Sequence, residues 1–254
     1  MAVYVPDIMQ MGHYTSQNNN EMKFLCNQKG VIGLWSYYGR KTKVIKMYPN
    51  PQYDIIVEPF AGTAVYSLYD NNWQKEIHLI EKYDVIVDLW HYLQQASEQD
   101  ILSLPDIECG ESLDNYTQLC KEERYLLGFA INEGSANPKV TASKKKSFNN
   151  WNKNKPKIAS NLHKIRHWDI RCGEYNEFDD INNLTATWFI DPPYQYGGQY
   201  YRHKFNDYEN LANYCLSRKG QIIVCENTKA DWLPFRPLKD MHGQLHTTTE
   251  AIYT

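Results

Sequence analysis

An aspartate, two prolines and a tyrosine at positions 191 to 194 follow directly on the apolar run Trp188-Phe189-Ile190. Two consecutive prolines fix two φ angles and remove two backbone N–H donors, so neither a helix nor a central strand continues through them. The chain must leave its strand at Asp191 in a stiff turn whose carbonyls point outward as acceptors. If that strand is parallel, the turn lies at the edge of an open α/β sheet where ligands bind. Asp191 and a carbonyl held beside it by Pro192 and Pro193 accept both hydrogens of an amino group, and Tyr194 offers a flat ring next to them. The competing reading of the four residues is a plain strand-terminating turn.

Four further runs have strand length: Asp54-Ile55-Ile56-Val57, His78-Leu79-Ile80, Trp168-Asp169-Ile170 and Gln221-Ile222-Ile223-Val224-Cys225. A crossover helix is expected over 64–69, and another over 208–218, where Leu211, Tyr214 and Cys215 recur at helical spacing. Strand, helix, strand implies parallel pairing. The tail 246–253, beginning at His246, is rich in β-formers and is expected to add late edge strands. The fold class that follows is α/β, an open sheet covered by helices. The span 85–165 breaks the alternation with a helical stretch, Glu122 to Ile131, and then a Gly-, Asn- and Lys-rich region. It reads as an inserted subdomain, dividing the sheet domain into 1–84 and 166–254.

A chain of 254 residues, 42% of them hydrophobic, has the material for one large domain with a substantial core. Its formal charge of -3 conceals an asymmetry. From 139 to 166 the charged residues are all basic: Lys139, Lys144, Lys145, Lys146, Lys153, Lys155, Lys157, Lys164 and Arg166, interleaved with Phe148 and Trp151. Such a stretch is either a solvated lysine-rich loop or a surface for a phosphate backbone. The 6 cysteines, Cys26 among them, are scattered without a C-x-x-C pair, so they read as reduced thiols with no metal site. No apolar run is long enough to span a bilayer, and the opening residues 1–12 lack the basic-then-apolar layout of a signal peptide, so a soluble, cytoplasmic protein is expected. Low complexity is confined to polar patches such as 17–20.

Two further sites carry chemistry. Val57-Glu58-Pro59-Phe60-Ala61-Gly62-Thr63-Ala64 follows the first strand, and Gly62 there permits close approach of a ligand to the backbone. The loop has neither the Walker A pattern nor G-x-G-x-x-G, and its acid, Glu58, favours a cation over a phosphate. Glu81 ends the second strand, where a carboxylate accepts hydrogen bonds from both hydroxyls of a ribose. Alone, each reads equally as a strand-to-helix turn or a solvated acid.

Taken in order, Tyr38-Gly39-Arg40-Lys41, Glu58-Pro59-Phe60-Ala61-Gly62, Glu81 and Asp191-Pro192-Pro193-Tyr194 resemble the Dam-type DNA amino-methyltransferases, which act on adenine N6. The resemblance covers about residues 35–253. It implies a Rossmann-like methyltransferase sheet, mostly parallel with a late antiparallel edge, and a mainly helical target-recognition insertion. It also implies S-adenosylmethionine as cofactor and double-stranded DNA as partner, in the cytoplasm of a bacterium or a phage-infected cell. By the resemblance Tyr38, Gly39, Lys41, Glu58, Pro59, Phe60, Ala61, Gly62, Thr63, Glu81, Glu174, Tyr175 and Asp191 hold the cofactor, with Lys41 on its carboxylate and Glu174-Tyr175 framing its adenine. Asp191 and the Pro192 carbonyl take the target amine, and Tyr194 stacks on the extruded base. Lys139, Lys144, Lys145, Lys146, Trp151, Lys153, Lys155 and Lys157 follow the DNA backbone. The family often carries Asp where this chain has Glu58, Glu81 and Glu174, and residues 132–137 follow its recognition pattern only loosely. Cytosine N4, RNA adenine and a DNA-binding relative without turnover stay open as alternatives, as does monomer against dimer.

Overall fold

All five apolar runs form strands of one sheet. The structure, a computed structural model, describes residues 33–242 and 247–254. Cys26, the opening stretch 1–12, the polar patch 17–20 and His246, all read in the sequence, lie outside the described residues. The strands are β1 (Ile55–Glu58), β2 (Glu76–Glu81), β3 (Asp169–Cys172), β4 (Thr185–Ile190), β5 (Lys219–Asn227), β6 (Arg236–His242) and β7 (Thr247–Tyr253). Their order is β3-β2-β1-β4-β5-β7-β6. β3, β2, β1, β4 and β5 pair in parallel, whereas β7 runs antiparallel to both β5 and β6. This is an α/β sheet of Rossmann-like character with a late antiparallel edge.

The strand runs are apolar at successive positions because both faces of the sheet are covered. Ile56, Leu79, Phe189 and Ile223 belong to the core on one face. Their neighbours Val57, Ile80, Trp188 and Val224 belong to the core on the other. The period of two along a strand sends adjacent residues to opposite sides.

The described α-helices are α1 (Val65–Leu68), α2 (Asp84–Gln95), α3 (Glu98–Ser103), α4 (Lys121–Ala130), α5 (Trp151–Asn161), α6 (Asp179–Asn182) and α7 (Tyr208–Ser217). α2 buries Ile86, Val87, Leu89, Trp90 and Leu93, one face of a helix, against β2 and β3. Its C-terminal end is closed by Arg166, whose guanidinium donates to the carbonyls of Gln94 and, at 2.5 Å, of Ala96. Within 85–165, α2 covers the sheet, α4 packs on α2, and α3 and α5 pair with each other. None of the described helices is long and apolar enough to cross a membrane.

The basic stretch divides. Lys139, Lys144, Lys145, Lys146, Lys153 and Lys157 are exposed. Trp151, expected along a phosphate backbone, is instead 0% exposed and its indole N–H donates to the Pro105 carbonyl at 2.7 Å. The reason is helical spacing: Trp151, Ile158 and Ala159 share the buried side of α5. Lys155 is also corrected, because its ammonium is held by the Leu104 carbonyl at 2.8 Å and by Asp106 at 2.5 Å. Trp151→Ala is expected to cost about 3–5 kcal/mol in urea unfolding, and Lys153→Ala to stay within about 0.5 kcal/mol. An unchanged unfolding midpoint in Trp151→Ala would put the indole back on the surface.

Candidate active site

β1 is flanked by β2 on one side and β4 on the other, so the chain order reverses between β1 and β4. Loops leaving the two strands there must part, and a crevice opens at their carboxyl ends. A cleft open to solvent occupies this point. It is walled by the loops after β1, β2, β3 and β4, by the segment Tyr37 to Lys41, and by residues 201–205.

The loop after β1 is tightly wound. Gly62 and Ala64 both take left-handed backbone, with φ of 47° and 42°. For Ala64 this costs about 1–2 kcal/mol. Hydrogen bonds hold it there: the Trp90 indole donates to the Gly62 carbonyl at 2.9 Å, and the Ala61 N–H to the Ile80 carbonyl at 3.1 Å. Glu58, 2% exposed, accepts the Ser67 N–H at 2.8 Å, satisfying a donor in the first turn of α1 for which Ala64 has no polar side chain. Burial pushes the Glu58 carboxyl up to about 8, against the downward pull of Ser67. Glu81 accepts the Gly62 N–H at 2.9 Å through one oxygen and the Tyr83 N–H at 2.8 Å through the other. Burial raises its pKa too, opposed by these donors. Each oxygen keeps a lone pair for a further donor.

Asp191 stands at the end of β4 with its Oδ1 2.7 Å from Lys41 Nζ. Lys41, expected on a cofactor carboxylate, is 6% exposed and pairs with Asp191 instead. Burial alone would lower the Lys41 pKa, but the charges of Asp191 and Glu250 outweigh it and raise it. Burial pushes Asp191 up to about 6, with Lys41 countering. At neutral pH the pair is therefore ionised.

The segment carrying Lys41 reaches Asp191 because Gly39 takes φ +77° and has no Cβ. An added Cβ would stand 1.9 Å from the Tyr201 hydroxyl.

All the residues expected to hold a cofactor line this one cleft. Phe60 stacks on Tyr175, centroids 5.3 Å apart, as part of its aromatic wall. Glu174 forms an ion pair with Lys82 at the rim. Of the four residues after β4, Asp191 and Pro193 line the cleft, whereas Pro192 is buried. Tyr194 lies behind them: Lys41 Nζ sits 4.7 Å from its ring centroid, and its hydroxyl donates to Glu250 at 2.5 Å. The Pro192 carbonyl takes no hydrogen bond from the described residues.

Sequence reasoning missed Tyr37, Phe189 and residues 201–205, which line the cleft, and the buried acids Glu226 and Glu250 behind it. A signal existed for Glu250, an acid inside the β-forming run 247–253.

A buried carboxyl at about 8 in the folded chain, against an ordinary 4.5, binds a proton that the unfolded chain releases. Stability therefore falls as pH rises from about 4.5 to 8. Glu58→Gln should melt higher than the parent at pH 8, with the difference shrinking towards pH 5; a gap independent of pH would mean that Glu58 is ionised throughout. The chain matches no protein-family model and no curated protein.

Proposed function

We propose that this protein is an S-adenosylmethionine-dependent methyltransferase of adenine N6 in DNA. The observation that carries the reading is the position of Asp191 and the diproline turn at the carboxyl end of β4, in the same cleft as Glu58, Gly62 and Glu81. The cofactor, when bound, supplies a methyl group on a positively charged sulfur. The cleft's groups suit such a ligand. Glu81, its two oxygens oriented by backbone N–H groups, suits the ribose hydroxyls. A cation beside Glu58 would favour its ionised form over the protonated one that burial alone favours, and Phe60 with Tyr175 suits a purine ring.

Adenine N6 donates its lone pair into the ring and is a weak nucleophile. Asp191 and the Pro192 carbonyl accept its two hydrogens, localising that pair on nitrogen and stabilising the positive charge that develops there. Lys41 keeps Asp191 ionised for this task. As nitrogen gains the methyl group, its proton passes to the Asp191 carboxylate, whose pKa near 6 returns it to water at neutral pH. The reacting group lies inside the base pair, so the adenine must leave the duplex, at a cost of a few kcal/mol. Stacking on an aromatic face recovers about 1–3 kcal/mol per base. Tyr201 and Phe205 offer such faces in the cleft, and Tyr194 lies behind it. The helical segment with its exposed lysines is the target-recognition part.

The deciding experiment is expression in cells free of adenine methylation, followed by digestion of DNA and RNA to nucleosides and mass spectrometry. N6-methyladenine in DNA is the expected product; N4-methylcytosine, or methyladenine in RNA alone, transfers the reading to those substrates, and no methylated base ends it. Asp191→Ala should abolish transfer while leaving S-adenosylmethionine binding within a fewfold by calorimetry; near-normal turnover would remove Asp191 from the reaction. DNA affinity should fall linearly in log-log salt with a slope of about -0.9 per phosphate contact. Replacing Lys144, Lys145 and Lys146 with Ala should flatten that slope by about two to three, and an unaltered slope would leave those lysines solvated.

A further inference from the structure

Three buried side chains on β5 and β7 converge on three consecutive residues of the turn after β4. Glu250 Oε1 accepts the Tyr194 hydroxyl at 2.5 Å. Glu226 Oε1 accepts the Gln195 N–H at 2.5 Å. The Asn227 amide donates to the Tyr196 carbonyl at 2.7 Å. Glu226 and Asn227 pair in register with Ala251 and Glu250, so the three side chains come from one short stretch of the antiparallel edge. We infer that this edge is a positioning device for the reaction, with Glu250 holding Tyr194, and Glu226 with Asn227 holding the next two residues, so that Asp191 is presented at a fixed height in the cleft. The inference rests on the methyltransferase reading for the reaction it serves.

Stability gives little reason for these acids, although the charge of Glu250 also bears on Lys41. Glu226 is 0% exposed and Glu250 7%, and neither forms an ion pair among the described residues. Burying a carboxylate on hydrogen bonds alone is a net cost that an apolar pair of the same shape would avoid. Glu250 takes a second phenol, Tyr48, on the same oxygen at 2.6 Å, so its acceptor capacity is directed at two hydroxyls, one of them in the turn. Further back, the Tyr208 hydroxyl donates to the Pro193 carbonyl at 2.8 Å. Pro193, Tyr194, Gln195 and Tyr196 are thus each held by a side chain. Pro192 is the exception: it is buried, and its carbonyl takes no hydrogen bond among the described residues. Fixed placement matters because an error of about 1 Å in a reacting group costs on the order of 100-fold in rate.

The test compares the wild-type chain with Glu250→Leu, Glu226→Gln and Tyr194→Phe. Two readouts are hydrogen exchange of the peptide covering 194–201 and single-turnover methyl transfer at saturating cofactor. A third, calorimetric S-adenosylmethionine binding, reports that each variant is folded. Glu250→Leu and Glu226→Gln should speed exchange in that peptide at least tenfold and slow the methyl-transfer step 10- to 100-fold, with cofactor affinity changed less than threefold. The double variant Glu250→Leu with Tyr194→Phe should be no slower than the slower single variant, because both remove the Tyr194 contact. Unchanged exchange in the peptide overturns the inference whatever the rates do, and so does faster exchange with a rate within twofold of wild type. Should wild type itself transfer no methyl group, the functional reading fails, and the exchange result alone still decides whether the acids anchor the turn.

Discussion

The ion pair of Lys41 with Asp191 is the contact on which the cleft depends. The two residues lie in segments far apart in the chain, one preceding the first strand and the other leaving β4. Their contact joins the segments across the floor of the cleft. Such a pair is costly to desolvate, and its net contribution to stability is small, but deleting one partner leaves the other charge stranded, at about 3–5 kcal/mol. Its effect is therefore geometric. The segment 36–41 bears on the cleft from one side, where Lys41 meets Asp191. On its other side the Tyr38 N–H donates to the Ser135 carbonyl at 3.2 Å and Arg40 to Glu133 at 2.9 Å.

Around that pair the sheet gathers acids at one edge. Glu58 ends β1, Glu81 ends β2, Asp191 follows β4, Glu226 lies near the end of β5, and Glu250 on β7 pairs with the next residue of β5, Asn227. Each carboxylate has a different partner: a helix N–H for Glu58, loop N–H groups for Glu81, an ammonium for Asp191, loop and indole N–H groups for Glu226, phenols for Glu250. Apolar residues would fill the same volumes with less penalty. Acids concentrated where the strands open, with burial raising the pKa of Glu58, Glu81, Asp191 and Glu226, form the kind of cluster that ligand sites carry.

The sheet was legible in the sequence because its strands are covered on both faces and therefore read as unbroken apolar runs. The turn after β4 was legible because two prolines admit few structures. Glu58 and Glu81 were legible from their distance behind the first two strands. α2 was not, since Val85, Ile86 and Val87 open it with a β-branched run that resembles a strand. α5 was hidden by its lysines, whose exposed side masks the buried row of Trp151, Ile158 and Ala159. An aromatic among lysines looks the same in sequence whether it meets a ligand or the core; only the 3.6-residue period separates the two.

The partners of Glu250 were beyond reach for another reason. Its hydroxyl donors, Tyr48 and Tyr194, stand 202 and 56 residues away in the chain; nothing local to Tyr48 distinguishes it from other tyrosines, and Tyr194 drew notice for its ring and not for its hydroxyl. A strand register brings them together, and register is a property of the assembled sheet. The same holds for Lys41, which sequence alone assigned to a ligand because its natural partner, Asp191, is 150 residues away and was assigned to the substrate. A carboxylate can serve both: in the proposed reaction Lys41 supports the charge of Asp191 from one side, while Asp191 still lines the cleft on the other.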